Sequence, residues 1–357
     1  MNAVKKSAAA VLCLIMILSF ASFLSFAQDD EFIPKEALSV NAGIEALRGQ
    51  FESFTGPEKD GYAIDCKYYS PVGENDSNKY PIVIFFHGIN HGESVGSQLN
   101  DSDFPYWSSS EFQARFSESG GAFILMPRAP EDKKLYWGET FISPVKAMID
   151  SFIEKHRENV DTTSISITGS SAGGGMCWLM LDAFPGMFSC AFPLASTVTP
   201  SKADIEKAKD TAIWIFASKK DRIVNYNLST LKIWNNVTAT NSRPGLCRLT
   251  SFENVHNPDG TPTSTNHHLA SVITYDMHMK DESDYIEAET INGNGEKVSL
   301  ASPEGIISWI SSVHSDYNGN EDRADPEYNL TFFTKINNFF KYRILYLVQL
   351  IQDLLGL

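Results

Sequence analysis

The chain has 357 residues, 43% of them hydrophobic and 12% aromatic, which is enough apolar material for a substantial core and too much for wholesale disorder. Its formal net charge is -15, from 29 Lys and Arg against 44 Asp and Glu. Phosphate backbones are bound by concentrated Lys and Arg, so this balance argues against a nucleic-acid partner and reads as solubility.

The first element is residues 1-27. Lys5 and Lys6 make a basic start, "AAAVLCLIMILSF" is a short apolar run, and Ser25 and Ala27 are small residues at cleavage offsets. This pattern predicts a signal peptide cut near Ala27, hence a secreted or extracytoplasmic protein; a retained N-terminal anchor is the alternative. Cys13 lies inside the apolar run and not at its end, which disfavours a lipid anchor. Cleavage removes two lysines and no acids, taking the formal charge from -15 to -17. Four cysteines then remain, Cys66, Cys177, Cys190 and Cys247, widely separated and without a CxxC pair, so no metal site is expected. Export permits two disulfides, while the apolar settings of Cys177 and Cys190 suit buried free thiols.

Residues 28-315 read as strands alternating with helices. "YAIDCKYYS" alternates as a strand, and "YPIVIFFHG" and "GAFILMP" are continuous apolar runs suited to strands covered on both faces. "VKAMIDSFIEKHRENV" sets Val145, Met148, Ile149, Phe152 and Ile153 on one helical face. "SISITG" is the next strand, "AGGGMCWLMLDAF" the helix after it, "FSCAFPLAS" and "TAIWIFAS" two further strands, and "PEGIISWISSVHS" a closing helix. Such alternation predicts an α/β domain with a mostly parallel central sheet and helices on both faces. Residues 316-331 are polar and read as a linker. Residues 332-357 form an amphipathic pattern, with Phe333, Ile336, Phe340, Ile344, Leu347 and Ile351 at helical spacing. It is too interrupted to span a membrane and suits either a membrane surface or docking on its own domain or a second copy.

The chemistry concentrates in "SISITGSSAGGGM", residues 164-176. Gly169, Ser171 and Gly173 form G-x-S-x-G between a predicted strand and a predicted helix, the setting of a nucleophile elbow. A sharp strand-to-helix turn strains the central serine and brings the residues two before and two after it together, so glycine is needed at both. The same turn aims the N–H of Ala172 at the space above the serine, where it would serve an oxyanion hole. A phosphate loop does not fit, because no G-K-[ST] follows. The strand ending in His87-Gly88 offers a second oxyanion donor, the N–H of Ile89 or Gly88, with His87 structural. Asp221 falls just past the strand "TAIWIFAS", where an orienting carboxylate belongs, and Arg222-Ile223-Val224 completes a D-x-x-V pattern. The chain order Ser, Asp, His requires a later histidine; His256, His267, His268, His278 and His314 are the choices, and the loop carrying His267 and His268 suits the role best.

These pieces, "PIVIFFHGINHG", "FILMPRAPEDKKLYW", "VDTTSISITGSSAGGGM", "FPGMFSCAFPLAS" and "IWIFASKKDRIV", resemble in order the secreted esterase and polyester-depolymerase branch of the α/β-hydrolases, close to prolyl-oligopeptidase-like domains. The resemblance implies an α/β-hydrolase fold and a base followed seven positions on by tyrosine. That offset matches His268 with Tyr275 and leaves His267 as the alternative base. It also implies a substrate-pocket role for Trp137, for which a core position is the alternative. Departures include His267 where a glycine is usual and Ala172 where methionine is common. The expected activity is ester hydrolysis by Ser171, His268 and Asp221 on a small or polymeric ester, with no cofactor. A peptidase using the same triad and a non-catalytic binding module are the alternatives.

Overall fold

The computed structural model describes residues 44-73, 76-89, 94-101, 104-130, 137-255, 267-275, 286-299 and 304-317. The expected signal peptide, the helix of residues 332-357, nearly all of the linker before it, His256 and His278 lie outside the described residues.

In chain order the elements are α1 (Ile44–Arg48), β1 (Glu52–Thr55), β2 (Asp65–Tyr69), β3 (Tyr80–Phe86), α2 (Ser110–Arg115) and β4 (Phe123–Pro127). They continue with α3 (Ile142–Lys155), β5 (Val160–Ser170), α4 (Ala172–Ala183), β6 (Cys190–Leu194), α5 (Lys202–Lys207) and β7 (Ala212–Ser218). The last described are α6 (Leu231–Thr240), β8 (Arg248–Val255), β9 (Ile286–Asn292), β10 (Lys297–Val298) and α7 (Glu304–Ser311).

The strands form one sheet in the order β1-β2-β4-β3-β5-β6-β7-β8-β9-β10. From β4 to β8 every pairing is parallel, while β1, β2, β9 and β10 extend the edges in antiparallel fashion. The sheet is thus mostly parallel, as the apolar runs predict, but its antiparallel margins go beyond the sequence reading. β1 is four residues with largely exposed side chains, and β9 mixes Glu with Ile and Thr, so neither carries the continuous apolar signal of a central strand.

Helices cover both faces, and strand alternation divides the core between them. Ile82, Ile84 and Phe86 of β3 pack with α3, α4 and α6, whereas Val83 and Phe85 pack with α1, α2 and α7. In α3 the five apolar positions expected to face inward are all buried. The helix nevertheless ends at Lys155, and Val160 already belongs to β5. Asn159 marks that turn, its N–H donating back to His156 and its carbonyl accepting from Tyr80.

The four described cysteines are all buried and free, so of the two readings left open by the sequence the structure has the free thiols. Cys66, Cys177 and Cys247 are dispersed through one core layer and Cys190 lies in the other. Burial pushes the Cys247 thiol up to about 11 and the Cys190 thiol up to about 12, so both stay protonated near neutral pH.

Candidate active site

The order of the sheet reverses between β3 and β5, and in open α/β sheets the space beyond the carboxyl ends of strands at such a switch point is where sites form. Ser171 follows β5 directly. Its φ is 54° and its ψ -112°, a backbone conformation that a non-glycine residue seldom adopts. The neighbours enforce it. Ser171 N–H donates to Leu194 O at 2.9 Å, and its carbonyl accepts from Gly175 N at 3.0 Å and Thr197 N at 3.1 Å. The Thr197 hydroxyl adds a third contact to that carbonyl at 3.3 Å.

Glycine is required on both sides of this turn. A Cβ on Gly169 would lie 2.6 Å from the Gly173 carbonyl carbon and 2.5 Å from Phe86 O. A Cβ on Gly174 would lie 2.7 Å from Leu194 O, so the start of α4 also packs directly on the end of β6.

Serine at a helix N-cap ordinarily spends its hydroxyl on the helix's first N–H groups. Here the Ser171 side chain makes no capping bond. Its Oγ instead lies 2.9 Å from His268 Nε2, and His268 Nδ1 lies 2.8 Å from Asp221 Oδ2. Asp221 Oδ1 accepts the N–H groups of Ile223 at 2.8 Å and Val224 at 2.7 Å, which turns Oδ2 toward the imidazole. The residues after Asp221 therefore orient the carboxylate through their backbones. With Nδ1–H donating to the carboxylate, Nε2 is left bare to accept the serine proton. All three side chains are buried.

His268 and not an adjacent residue reaches this position because of how its segment is anchored. His267 is half-buried with φ 55°, and Leu269–Tyr275 follows as a 3-10 turn. At its end Tyr275 is fully buried, in edge contact with Phe85 at 5.2 Å and Phe104 at 5.1 Å. Its hydroxyl is 2.6 Å from Thr168 Oγ1, and Thr168 in turn donates to Phe192 O at 2.6 Å, so Tyr275 must be the donor. Burial raises the tyrosine's pKa well above its ordinary value and keeps that donor protonated. Tyr275→Phe is expected to cost about 1 kcal/mol, the net worth of one neutral hydrogen bond, measured as a lower urea midpoint at unchanged m value.

On the other side of Ser171, Ala172 is the first residue of α4, where an N–H has no carbonyl one turn back to bind. Ile89 lies early in the loop after β3, three residues past Phe86. Gly88 is a correction: its N–H donates to Asp101 Oδ2 at 2.7 Å and is therefore unavailable to an oxyanion. His87 is structural and fully buried. Ala129 N–H donates to its Nε2 at 3.1 Å, so Nδ1–H is the donor to Gly88 O at 2.6 Å.

Trp137 is the second correction. It is 0% exposed, packs against Phe86 at 5.3 Å and His87 at 5.1 Å, and donates its indole N–H to His87 O at 3.1 Å. It presents no surface to a substrate and instead braces the loop after β3 from the core. His314 lies elsewhere, beside Thr163 near the start of β5. Sequence reasoning missed Asp101 and Thr197, which are single polar residues in polar surroundings without a spacing rule to mark them.

No family model matches the chain, and no curated protein sequence matches it. Among solved structures, a thermostable esterase superposes with a TM-score of 0.55 at 21% identity, over 75% of this chain. This chain spans 64% of that esterase's length. An acylaminoacyl peptidase from Pyrococcus horikoshii gives a TM-score of 0.44 at 15% identity, over 68% of this chain and 43% of that one. Esterase 2 of Thermogutta terrifontis, phosphoramylated by tabun, also gives 0.44, at 14% identity over 63% of this chain and 91% of that one. The first of these likenesses, with the sheet order and the strand-to-helix turn at Ser171, establishes that the chain has an α/β-hydrolase fold.

Proposed function

We propose that this chain is a serine hydrolase that cleaves carboxylic esters through an acyl-enzyme on Ser171. One observation carries the reading: the hydrogen-bonded line from Asp221 through His268 to a serine hydroxyl that its own helix leaves unspent. His268 Nε2 takes the Ser171 proton as Oγ attacks the carbonyl carbon, and Asp221 holds the tautomer and stabilises the imidazolium. The negative oxygen of the tetrahedral intermediate is received by the N–H groups of Ala172 and Ile89, of which the loss of either typically costs on the order of 3 kcal/mol. The imidazolium returns its proton to the departing alcohol, leaving the acyl group on Ser171. Water, activated by the same histidine, then releases the acid.

Esters are favoured over amides by analogy alone, through the fold shared with the thermostable esterase. The substrate is accordingly a small or polymeric ester. We further propose export through residues 1-27, which N-terminal sequencing of the mature protein checks: a chain beginning near Gln28 is expected.

The activity is tested with a fluorophosphonate probe and a panel of p-nitrophenyl esters beside peptide substrates. The expected result is a single adduct, mapped by mass spectrometry to Ser171, and ester turnover that the probe abolishes. A folded protein that neither labels nor turns over ester defeats the hydrolase reading in favour of a binding module. Peptide cleavage in place of ester turnover identifies a peptidase instead.

A further inference from the structure

We infer that Asp101 is a positioning residue that ties the loop after β3 to the nucleophile turn. The inference deepens the serine-hydrolase reading and rests on it for its catalytic consequence.

A single oxygen of Asp101, Oδ2, receives donors from two segments far apart in sequence. Gly88 N–H reaches it at 2.7 Å and the Ser170 hydroxyl at 3.2 Å. These two residues are not arbitrary. Gly88 directly precedes Ile89, the candidate oxyanion donor, and Ser170 directly precedes Ser171. The carboxylate therefore couples the two segments that carry the oxyanion donor and the nucleophile, each one residue before the group that acts. Asp101 is buried, and a buried carboxylate is costly unless donors satisfy it, so separating either partner from it is penalised. Charge-assisted bonds of this kind are also stronger than neutral ones. The three groups lie side by side: a Cβ on Gly88 would be in ordinary contact with Ser170 Oγ at 3.4 Å and Asp101 Oδ1 at 3.5 Å.

A direct electrostatic role has the wrong sign. A negative charge near a developing oxyanion opposes it, so the carboxylate's benefit must come from what it holds. Among the described residues the loop is also fixed through His87, which Trp137 and Ala129 hold and whose Nδ1–H donates to Gly88 O at 2.6 Å, but those contacts do not reach the nucleophile turn. Asp101 supplies the tie between this loop and the residue before Ser171.

The test uses the full chain with Asp101→Ala, Asp101→Asn and Ser170→Ala. Asp101→Ala is expected to lower kcat on the order of 100-fold, as loss of an oxyanion donor does, with KM nearly unchanged. Asp101→Asn keeps a carbonyl to accept from Gly88 and should recover most of that loss. Ser170→Ala removes one of the two donors found among the described residues, leaves the carboxylate in place and should fall between wild type and Asp101→Ala. Amide hydrogen exchange over residues 84-90 reads the tether without any turnover: exchange should rise in Asp101→Ala and return toward wild type in Asp101→Asn. An exchange rate indifferent to Asp101 overturns the tether. So does an Asp101→Ala enzyme with wild-type kcat, or one in which Asp101→Asn is no better than Asp101→Ala. Wild-type protein without ester turnover, but with the expected exchange pattern, defeats the hydrolase reading and leaves the tether standing.

Discussion

Ser171→Ala is expected to abolish covalent labelling and to lower ester turnover on the order of 10⁶-fold, the scale seen when a serine nucleophile is removed from a triad. The size follows from the geometry. The Ser171 hydroxyl is the group aligned with His268 at 2.9 Å, and an alanine leaves the imidazole nothing to deprotonate at that point. Stability should move the other way or barely at all. The hydroxyl makes no capping bond to α4, so its loss uncaps nothing, and the backbone holding φ at 54° is unchanged. Residual turnover is expected from the remaining N–H donors and from substrate binding. The measurement is kcat on p-nitrophenyl acetate together with a thermal midpoint. A variant that retains a tenth of wild-type kcat would remove Ser171 from the mechanism, and a variant that loses several degrees of midpoint would show a structural role not seen in its contacts.

Gly173→Ala is expected to be the most damaging single-methyl substitution at the site. A Cβ there would lie 1.8 Å from Phe86 O, 2.5 Å from Phe86 C and 2.8 Å from His87 O. All three are backbone atoms, so no side chain can rotate away. Either α4 lifts from the end of β3 or the turn at Ser171 opens. Overpacking in a well-filled core usually costs ~1–3 kcal/mol, and this collision between main chains belongs at or above the upper end. The expected outcome is a loss of about 3 kcal/mol or more in urea unfolding, or failure to accumulate as soluble protein. Gly138→Ala is the control, since Gly138 is extended at φ -157° and has nothing within 4 Å of a Cβ. It should change stability by no more than about 0.5 kcal/mol. An unfolding midpoint for Gly173→Ala equal to that of the control would refute the close approach on which the nucleophile turn depends.

The two substitutions test different physical layers. Ser171→Ala removes a reacting group from an intact scaffold, whereas Gly173→Ala deforms the scaffold and leaves every reacting group present. Only the second should change the unfolding midpoint substantially.

The sequence alone determined what depends on short range. The alternation and apolar runs of β3, β4, β5 and β7 reflect burial of consecutive residues, so they could be read without knowing their partners. The turn at Ser171 was legible because its glycine spacing lies within five residues, although a Cβ on Gly173 would strike the distant end of β3 and not the turn itself. Asp221 was locatable because it lies three residues past a strand whose end is visible in the apolar pattern. Tertiary structure decided whatever depends on direction or on distant partners. His267 and His268 are neighbours with identical side chains. A left-handed φ of 55° at the first and the anchoring of Tyr275 under Phe85 determine that the second meets Ser171. By sequence position Gly88 N–H is as available as that of Ile89, but Asp101, thirteen residues on, accepts it. Trp137 is placed by packing against β3 and the loop after it, contacts that no local pattern encodes. The antiparallel edges escaped notice because an exposed edge strand carries little apolar signal. Local sterics and burial are written in adjacent residues, but hydrogen-bond partners across a fold are set only when the strands assemble and bring distant segments to the same edge of the sheet.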